Sequence, residues 1–476
     1  MRILLGLLLI VLTRAPLVAQ AADDPRSQPL VFTHVTVIDA TGAKSKPDMT
    51  VVIIGDRIIT LGKSGKVAIP ANAQVVDASS KYLIPGLWDM HVHIFRNASL
   101  RPPNEYYFPL FIANGVTGVR DMWTKLDKVA QVELWRKQFT QKPGTVPRFG
   151  AVGTVVDGLP ATWPNSDTVS TADDARRMVD KLKAGGVDFV KVYWSLSREA
   201  YFAIADEAKK QRIPFAGHVP FSISALEASD AGQRSIEHLD GISLTCSSQE
   251  ARLRTIDPND LVPGKYQQQV FDTYDEQKCA RLFSRFAKNK TWQVPTLSVF
   301  QRSNRGPNNL ANDERLKYIP TAEREEWKRF IIRLQKRTPE QNAQRRLQMY
   351  SKLIQGMRRA GVEFMAGTDL GNEYLYPGFS LHDELVLLVD AGLTPMEAIQ
   401  AATRNPAKFL GKLNSLGTIE KGKIADLVLL EANPLEDISN TQRINAVIVD
   451  GRYLPKEALQ KMLAEVEAAA NKVKPR

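Results

Sequence analysis

Residues 83–95, LIPGLWDMHVHIF, run from a Pro-Gly break through apolar side chains to two histidines one residue apart. A short apolar run bounded by turn residues reads as a buried strand. Residues i and i+2 of a strand point to one side, so His91 and His93 can face a barrel axis together and bind one ion. Only six histidines occur in 476 residues, so two at one strand end call for a chemical reason.

Further runs of the same kind follow, at 116–122, 148–153, 188–194, 213–219, 235–240, 291–297 and 363–369, most of them trailed by helical patterns such as 172–184, 198–211 and 381–391. This alternation predicts an α/β fold, a distorted (β/α)8 TIM barrel over 83–411, with its chemistry at the strand C-terminal ends. β-rich segments at 29–82 and 412–455 flank it and predict one small β-sandwich domain built from both chain ends. Residues 456–476 read as a C-terminal helix or tail. Two long connections, 242–276 and 300–345, read as lids or binding segments. Around 325–337 the second is amphipathic, with Trp327, Phe330, Ile331 and Leu334 on one face, and is expected to cap the barrel mouth.

The other polar residues at strand ends fit a metal site. His218 ends the fifth strand in IPFAGHVP, His238 lies on the sixth in SIEHLDG, and Asp369 ends the eighth in EFMAGTD. Imidazole nitrogen and carboxylate oxygen suit zinc and related divalent ions, with manganese or cobalt as alternatives. Lys191 sits inside the fourth strand, DFVKVYW, where a charged ammonium is costly. Burial favours the neutral amine, which reacts with carbon dioxide to a carbamate able to bridge two cations; the alternative is a structural lysine paired with Asp369 or another carboxylate.

Composition narrows the setting. An apolar fraction of 43% is that of a packed globular chain. Arg2, a short apolar run and small residues at Ala19 and Ala21 predict a cleavable signal peptide over 1–21, hence a secreted or periplasmic protein, with no membrane span after cleavage. The net charge of +11 is scattered, densest near 315–346, where glutamates interrupt it; that pattern is a solvated helix face, and export also argues against nucleic acid. Cys246 and Cys279 either pair or are buried thiols, and the sequence leaves both open.

From about Leu30 to Tyr453 the chain resembles the amidohydrolase superfamily, in the branch of metal-dependent Xaa-Pro dipeptidases (prolidases) and imidazolonepropionases. The resemblance rests on PGLWDMHVH, GVTGVRDM, FVKVY, GHV, SIEHLDG, AGTD, SLHDEL, AIQAATRNPAKFLG and GTIEKGKIADLVLLEANPLEDI. It implies a binuclear metal-dependent hydrolase of carbon–nitrogen bonds. His91, His93, Lys191 and Asp369 would ligate the more buried ion, and Lys191, His218 and His238 the more exposed one. The implied cofactors are two divalent ions, zinc foremost, with Lys191 carboxylated. A hydroxide shared by the ions would attack the amide of a small-molecule or dipeptide substrate, of Xaa-Pro or N-acyl amino acid type, with Asp369 shuttling the proton. Assembly into a homo-oligomer is a further implication.

Competing readings are a lactonase or phosphotriesterase-like hydrolase on the same site and a non-catalytic binding protein on this scaffold. A deaminase would carry HxxE after the fifth strand, where this chain has HVPF, Phe221 standing in place of the glutamate. The strand-four Lys191 argues against a mononuclear lactam hydrolase. Three further residues are candidates for substrate contact: Tyr193, which shares the direction of Lys191 and is preferred over Trp194; His382, otherwise a helix-start hydrogen bond; and Arg120, otherwise an ion pair with Asp121 or another acid. His34, Asn405 and Pro406 read as structural.

Overall fold

The computed structural model describes residues 26–95, 104–256, 264–337 and 340–472, apart from the side chains at 104, 303, 307 and 334–343. The expected leader, residues 1–21, lies outside the described residues, as do residues 473–476 of the tail.

The middle of the chain is a parallel barrel. Its strands are β1 (Leu87–Val92), β2 (Val116–Asp121), β3 (Arg148–Asp157), β4 (Phe189–Val192), β5 (Phe215–Gly217), β6 (Ser235–Glu237) and β7 (Trp292–Val294), neighbours in that order. Helices such as Ala172–Ala184 and Arg198–Gln211 cover the outside, so all six residues of β1 and all four of β4 are buried.

The eighth barrel position, expected at 363–369, is not a regular strand. It closes the barrel through backbone bonds: Met365 N–H to Gln293 O at 2.9 Å on one side, and Met90 N–H to Ala366 O at 2.9 Å and Asp369 N–H to His91 O at 2.8 Å on the other. The ladder fails because side chains compete for it. Asp89 accepts from the Thr368 N–H at 3.0 Å and hydroxyl at 2.6 Å, and Asp369 takes a left-handed φ of 60°.

Strand β1 does not alternate simply. Trp88 and Met90 cluster with Trp292, Val294 and Met365, while Leu87 and Val92 join the core under the helices. The register against β2 shifts between Asp89 and Val92. One such irregularity switches which parity faces inward, so the histidines follow Trp88 and Met90 into the interior.

The chain ends meet in an eight-stranded sheet beside the barrel. Leu427–Leu430 runs antiparallel to Tyr82–Pro85, the strand that leads into β1, which ties the exit of the barrel to its entrance. Alternation divides its faces. Leu427 and Leu429 join Phe32, Val51 and Ile448 in the sheet's own core, whereas Val428 and Leu430 join the barrel core.

Both long connections are largely helical. The first holds Ile242–Thr245, Glu250–Leu253 and Lys265–Asp272; the second includes Thr321–Arg337. In the latter, Trp327 and Phe330 pack on Tyr374 and Tyr376, with Trp327 ring centroids 5.1 and 5.4 Å from the two tyrosines. That amphipathic helix therefore docks beside the barrel end, and among the described residues it contributes none to the cavity described below; the next helix, Glu340–Arg359, does.

Cys246 and Cys279 form a disulfide with Cα atoms 4.8 Å apart, and the ends of the first insertion are pinned beside it by Asp275 N–H to Cys246 O at 2.8 Å. Closing a 33-residue separation restricts the unfolded chain. The double variant C246S/C279S should lose about 2–4 kcal/mol of stability in denaturant titration, and dithiothreitol should lower the wild type to match it.

Candidate metal centre

The strand ends converge on a cavity of about 310 Å³ lined by His93, Lys191, His218, His238 and Asp369. His91 lies fully buried among them, its ring 5.1 Å from that of His93 and 4.7 Å from that of His238; His238 in turn stacks on His218 at 4.7 Å. Asp369 Oδ1 is 2.9 Å from His93 Nε2 and 3.3 Å from His91 Nε2, and Lys191 Nζ is 3.5 Å from His91 Nε2. Six residues from five barrel positions thus meet in one place. His91, His93 and Asp369 offer donor atoms within 4.8 Å of one another, a set able to hold a metal ion.

Close approach needs glycine at two points. Gly217, at φ 130°, precedes His218, and a Cβ there would come within 2.4 Å of Val192 O and 3.1 Å of Lys191 Cγ. A Cβ on Gly367 would sit 2.8 Å from His91 Cβ and 2.7 Å from Val294 Cγ1. His238, Thr296 and Asp369 all hold positive φ, at 60°, 48° and 60°. Such conformations cost energy and collect where side chains must be aimed.

Hydrogen bonds orient the imidazoles. His91 Nδ1–H donates to Glu237 at 2.8 Å, His218 Nδ1–H to Asp240, and His238 Nδ1 pairs with the Thr296 hydroxyl at 2.7 Å. Fixing Nδ1 leaves Nε2 as the lone-pair donor. His218 Nε2 is buried without a hydrogen-bond partner, a costly state that a metal ligand bond removes. Burial, reinforced by the Lys191 cation, holds His91 and His218 well below the ordinary imidazole value, and burial takes His238 down to about 4. Metal binding requires neutral imidazoles, so the donor set fits a divalent ion.

Burial also pushes Lys191 down to about 8, against the pull of Asp369 and Glu237. Among the described residues no carboxylate lies within ion-pair distance of its Nζ. For Asp369, burial works upward but is overcome by the His93 hydrogen bond and the other imidazoles, which hold the carboxyl well below its usual range. Its Oδ2 accepts from Asn372 Nδ2 at 2.7 Å.

Of the other candidates, Tyr193 lines the cavity, its hydroxyl accepting from Trp163 Nε1 at 2.7 Å and its ring 4.1 Å from that of His218. Arg120 is not at the mouth. Its guanidinium is fully buried, with Nη2 at 2.9 and 2.8 Å from the two Glu237 oxygens, Nη1 at 3.0 Å from Ser235 Oγ and Nε at 2.6 Å from Met90 O. The partner is therefore Glu237, not Asp121, and the guanidinium, fully buried and outside the cavity lining, is out of reach of a substrate carboxylate. His382 is also fully buried, fixed between the Thr441 hydroxyl and Asn114 O at 3.0 Å each, away from the cavity.

Glu237, Asp240 and Asp89 were missed from sequence. The first two flank His238 in SIEHLDG, and Asp89 precedes His91 in WDMHVH, so neighbouring carboxylates were the available signal. Asp89 accepts from the N–H groups of both His91, at 3.1 Å, and Thr368, at 3.0 Å, joining the segments that carry His91 and Asp369.

Comparison with known proteins finds amidohydrolases by partial sequence match and by fold. Residues 340–454 match the model of the amidohydrolase family, a stretch that includes Asp369 but not the cavity histidines or Lys191. A 98-residue stretch, 20% of this chain, is 42% identical to ochratoxinase of Aspergillus niger, and the match spans 19% of that protein's length. Over the whole fold, a bottromycin amidohydrolase superposes with a TM-score of 0.70 at 23% identity, covering 94% of this chain and 91% of that one. A Xaa-Pro dipeptidase with methionine in its active site superposes at 0.63 and 20% identity, covering 90% of this chain and 100% of that one. The amidohydrolase resemblance and its barrel fold are thereby borne out.

Removing the cation beneath His91 strands the Glu237 carboxylate. Arg120→Met should cost about 3–5 kcal/mol in thermal or chemical unfolding. Glu237→Gln keeps the packing but loses the charged acceptor of His91, and should weaken metal binding about 10–100-fold in a competitive chelator titration.

Proposed function

We propose that this chain is an exported, binuclear metal-dependent amidohydrolase that cleaves the amide bond of a dipeptide of Xaa-Pro type or of an N-acyl amino acid. The observation that carries the reading is the meeting of four imidazoles, Lys191 and Asp369 around one cavity at the barrel strand ends, His91 buried behind the other three. His91, His93, Lys191 and Asp369 would hold the deeper ion, and Lys191, His218 and His238 the outer one. Divalent ions in such a set, zinc foremost, acidify water and polarise a carbonyl, which is hydrolytic chemistry. A carboxylated Lys191 is supported by its burial and by the lack of a described carboxylate partner.

Asp369, held by His93 and Asn372, would take a proton from the attacking water and return it to the leaving amine. Tyr193 stands over His218, where a substrate carbonyl or leaving group would lie. The names of the superposing amidohydrolase and dipeptidase favour amide substrates over lactones or phosphotriesters. Export is supported by the leader-like residues 1–21 and by the disulfide, which suits an oxidising compartment.

Metal analysis of the purified protein, with a screen of Xaa-Pro dipeptides and N-acyl amino acids, tests the reading; about two divalent ions per chain and turnover are expected. No bound metal and no turnover, even with metal and bicarbonate supplied, would assign the scaffold to binding instead. Lys191→Ala should retain at most about one ion per chain and lose most activity. Full metal content and rate in that variant would reject carboxylation. Asp369→Asn should lower kcat about 10²–10⁴-fold with KM little changed, read from steady-state kinetics.

A further inference from the structure

The metal cavity contains a cation that the hydrolytic site does not use. Arg346, on the insertion helix Glu340–Arg359, lines it together with Trp123, Trp163, Trp194, Phe300 and Tyr350. Its Nε and Nη2 both donate to Gln267 Oε1, at 3.1 and 2.7 Å, and its guanidinium stands 5.8 Å from the Phe300 ring centroid. Gln267 is a neutral amide, and among the described residues no carboxylate pairs with Arg346. The acids that line the cavity are committed elsewhere, Asp240 to His218 and Trp194, and Asp369 to His93 and Asn372. A half-buried guanidinium among aromatic rings, braced but not neutralised by any described residue, is suited to an anion from outside the protein.

A second cavity, of about 240 Å³, opens beside the first and shares Trp194, Asp240, Gln267 and Tyr350 with it. Its wall is apolar, with Val219, Phe221, Leu239, Leu244, Val270 and Phe271. The one arginine on it, Arg254, is taken up by Glu250 at 2.9 Å and by the carbonyls of Phe221 and Ile223 at 3.0 Å each. Gln267 both braces Arg346 and borders this annex, so an anion on Arg346 stands at the annex entrance. One residue bearing a carboxylate and an apolar side chain satisfies both features.

We propose that Arg346 binds the free carboxylate of the leaving amino acid and that the annex receives its bulky apolar side chain. This rests on the amide-hydrolase reading, since dipeptides and N-acyl amino acids carry their C-terminal carboxylate on the leaving residue. Substrates ending in a free aromatic or large aliphatic amino acid are then preferred over amides that lack the carboxylate. Arg346 and the annex determine specificity; they hold no reacting atom.

The test uses the full metal-loaded protein and two compounds that differ only in the carboxylate, N-acetyl-L-phenylalanine and N-acetyl-2-phenylethylamine. In the wild type kcat/KM should favour the acid, and Arg346→Met should reduce that preference about 10–100-fold, as loss of a charge-assisted contact predicts. Arg346→Lys should restore part of it. Ser243→Trp, which fills the annex, should reduce the preference for N-acetyl-L-phenylalanine over N-acetyl-L-alanine.

Calorimetry with 3-phenylpropanoate and 3-phenylpropan-1-ol, which have no amide bond for the reaction to cleave, keeps the assignment separate from catalysis. Arg346→Met should weaken the acid about 10–100-fold relative to the alcohol. If no acetylated compound is turned over but this binding difference holds, hydrolysis of these amides is refuted and the anion site stands. If Arg346→Met leaves both the kinetic and the binding preference intact, the assignment of Arg346 is overturned.

Discussion

A carboxylate with no solvent exposure, that of Glu237, lies inside the barrel between the guanidinium of Arg120 and the imidazole of His91. A lone charge in that position would be prohibitively costly. Its satisfaction takes both oxygens: Oε1 meets Arg120 and Ser235, and Oε2 meets Arg120 and His91. The group therefore fastens β1, β2 and β6 together at the level of the candidate metal site. It also sets the His91 tautomer, so that folding of the barrel and orientation of a candidate ligand are one event.

Above that level the site is assembled by backbone strain and local carboxylates. Asp89 couples β1 to the irregular eighth position, and Asp121 does the same for the loops beyond β1 and β2, accepting from Ile94 N–H at 2.7 Å and Trp123 N–H at 2.9 Å. Left-handed backbone at His238, Thr296 and Asp369 turns the strand ends toward one another. Rigid support of this kind matters because a multi-ligand site tolerates little displacement of any one donor.

The walls of the cavity have a different origin. Gln267, Tyr266 and Phe271 come from the first insertion, held at its base by the Cys246–Cys279 disulfide, and Arg346 and Tyr350 from the helix Glu340–Arg359, which leads out of the second. A common barrel core with variable walls is the usual division between reaction chemistry and selectivity in this architecture. The hydrogen bonds from Arg346 to Gln267 join the two insertions directly over the metal cavity.

What the sequence determined by itself was periodicity and residue type. Apolar runs in alternation with helical patterns specify the barrel, and the flanking β texture at both ends specifies a shared sheet, because both follow from local burial preferences. Histidines, a lysine and an aspartate at strand ends named the candidate ligands, since strand ends of such a barrel face one mouth. Tertiary structure decided what depends on distant neighbours. By type and position Arg120 suits a substrate or an ion pair with Asp121 or another acid, and only the fold selects Glu237, more than a hundred residues away. The amphipathic 325–337 stretch read as a cap, yet its apolar face found Tyr374 and Tyr376, and the helix after it reached the cavity. Pairing of Cys246 with Cys279 likewise required the insertion to fold back on itself. Spacing along a chain constrains which side chains can share a face, but which charge meets which partner is settled only when burial forces every polar group to find one.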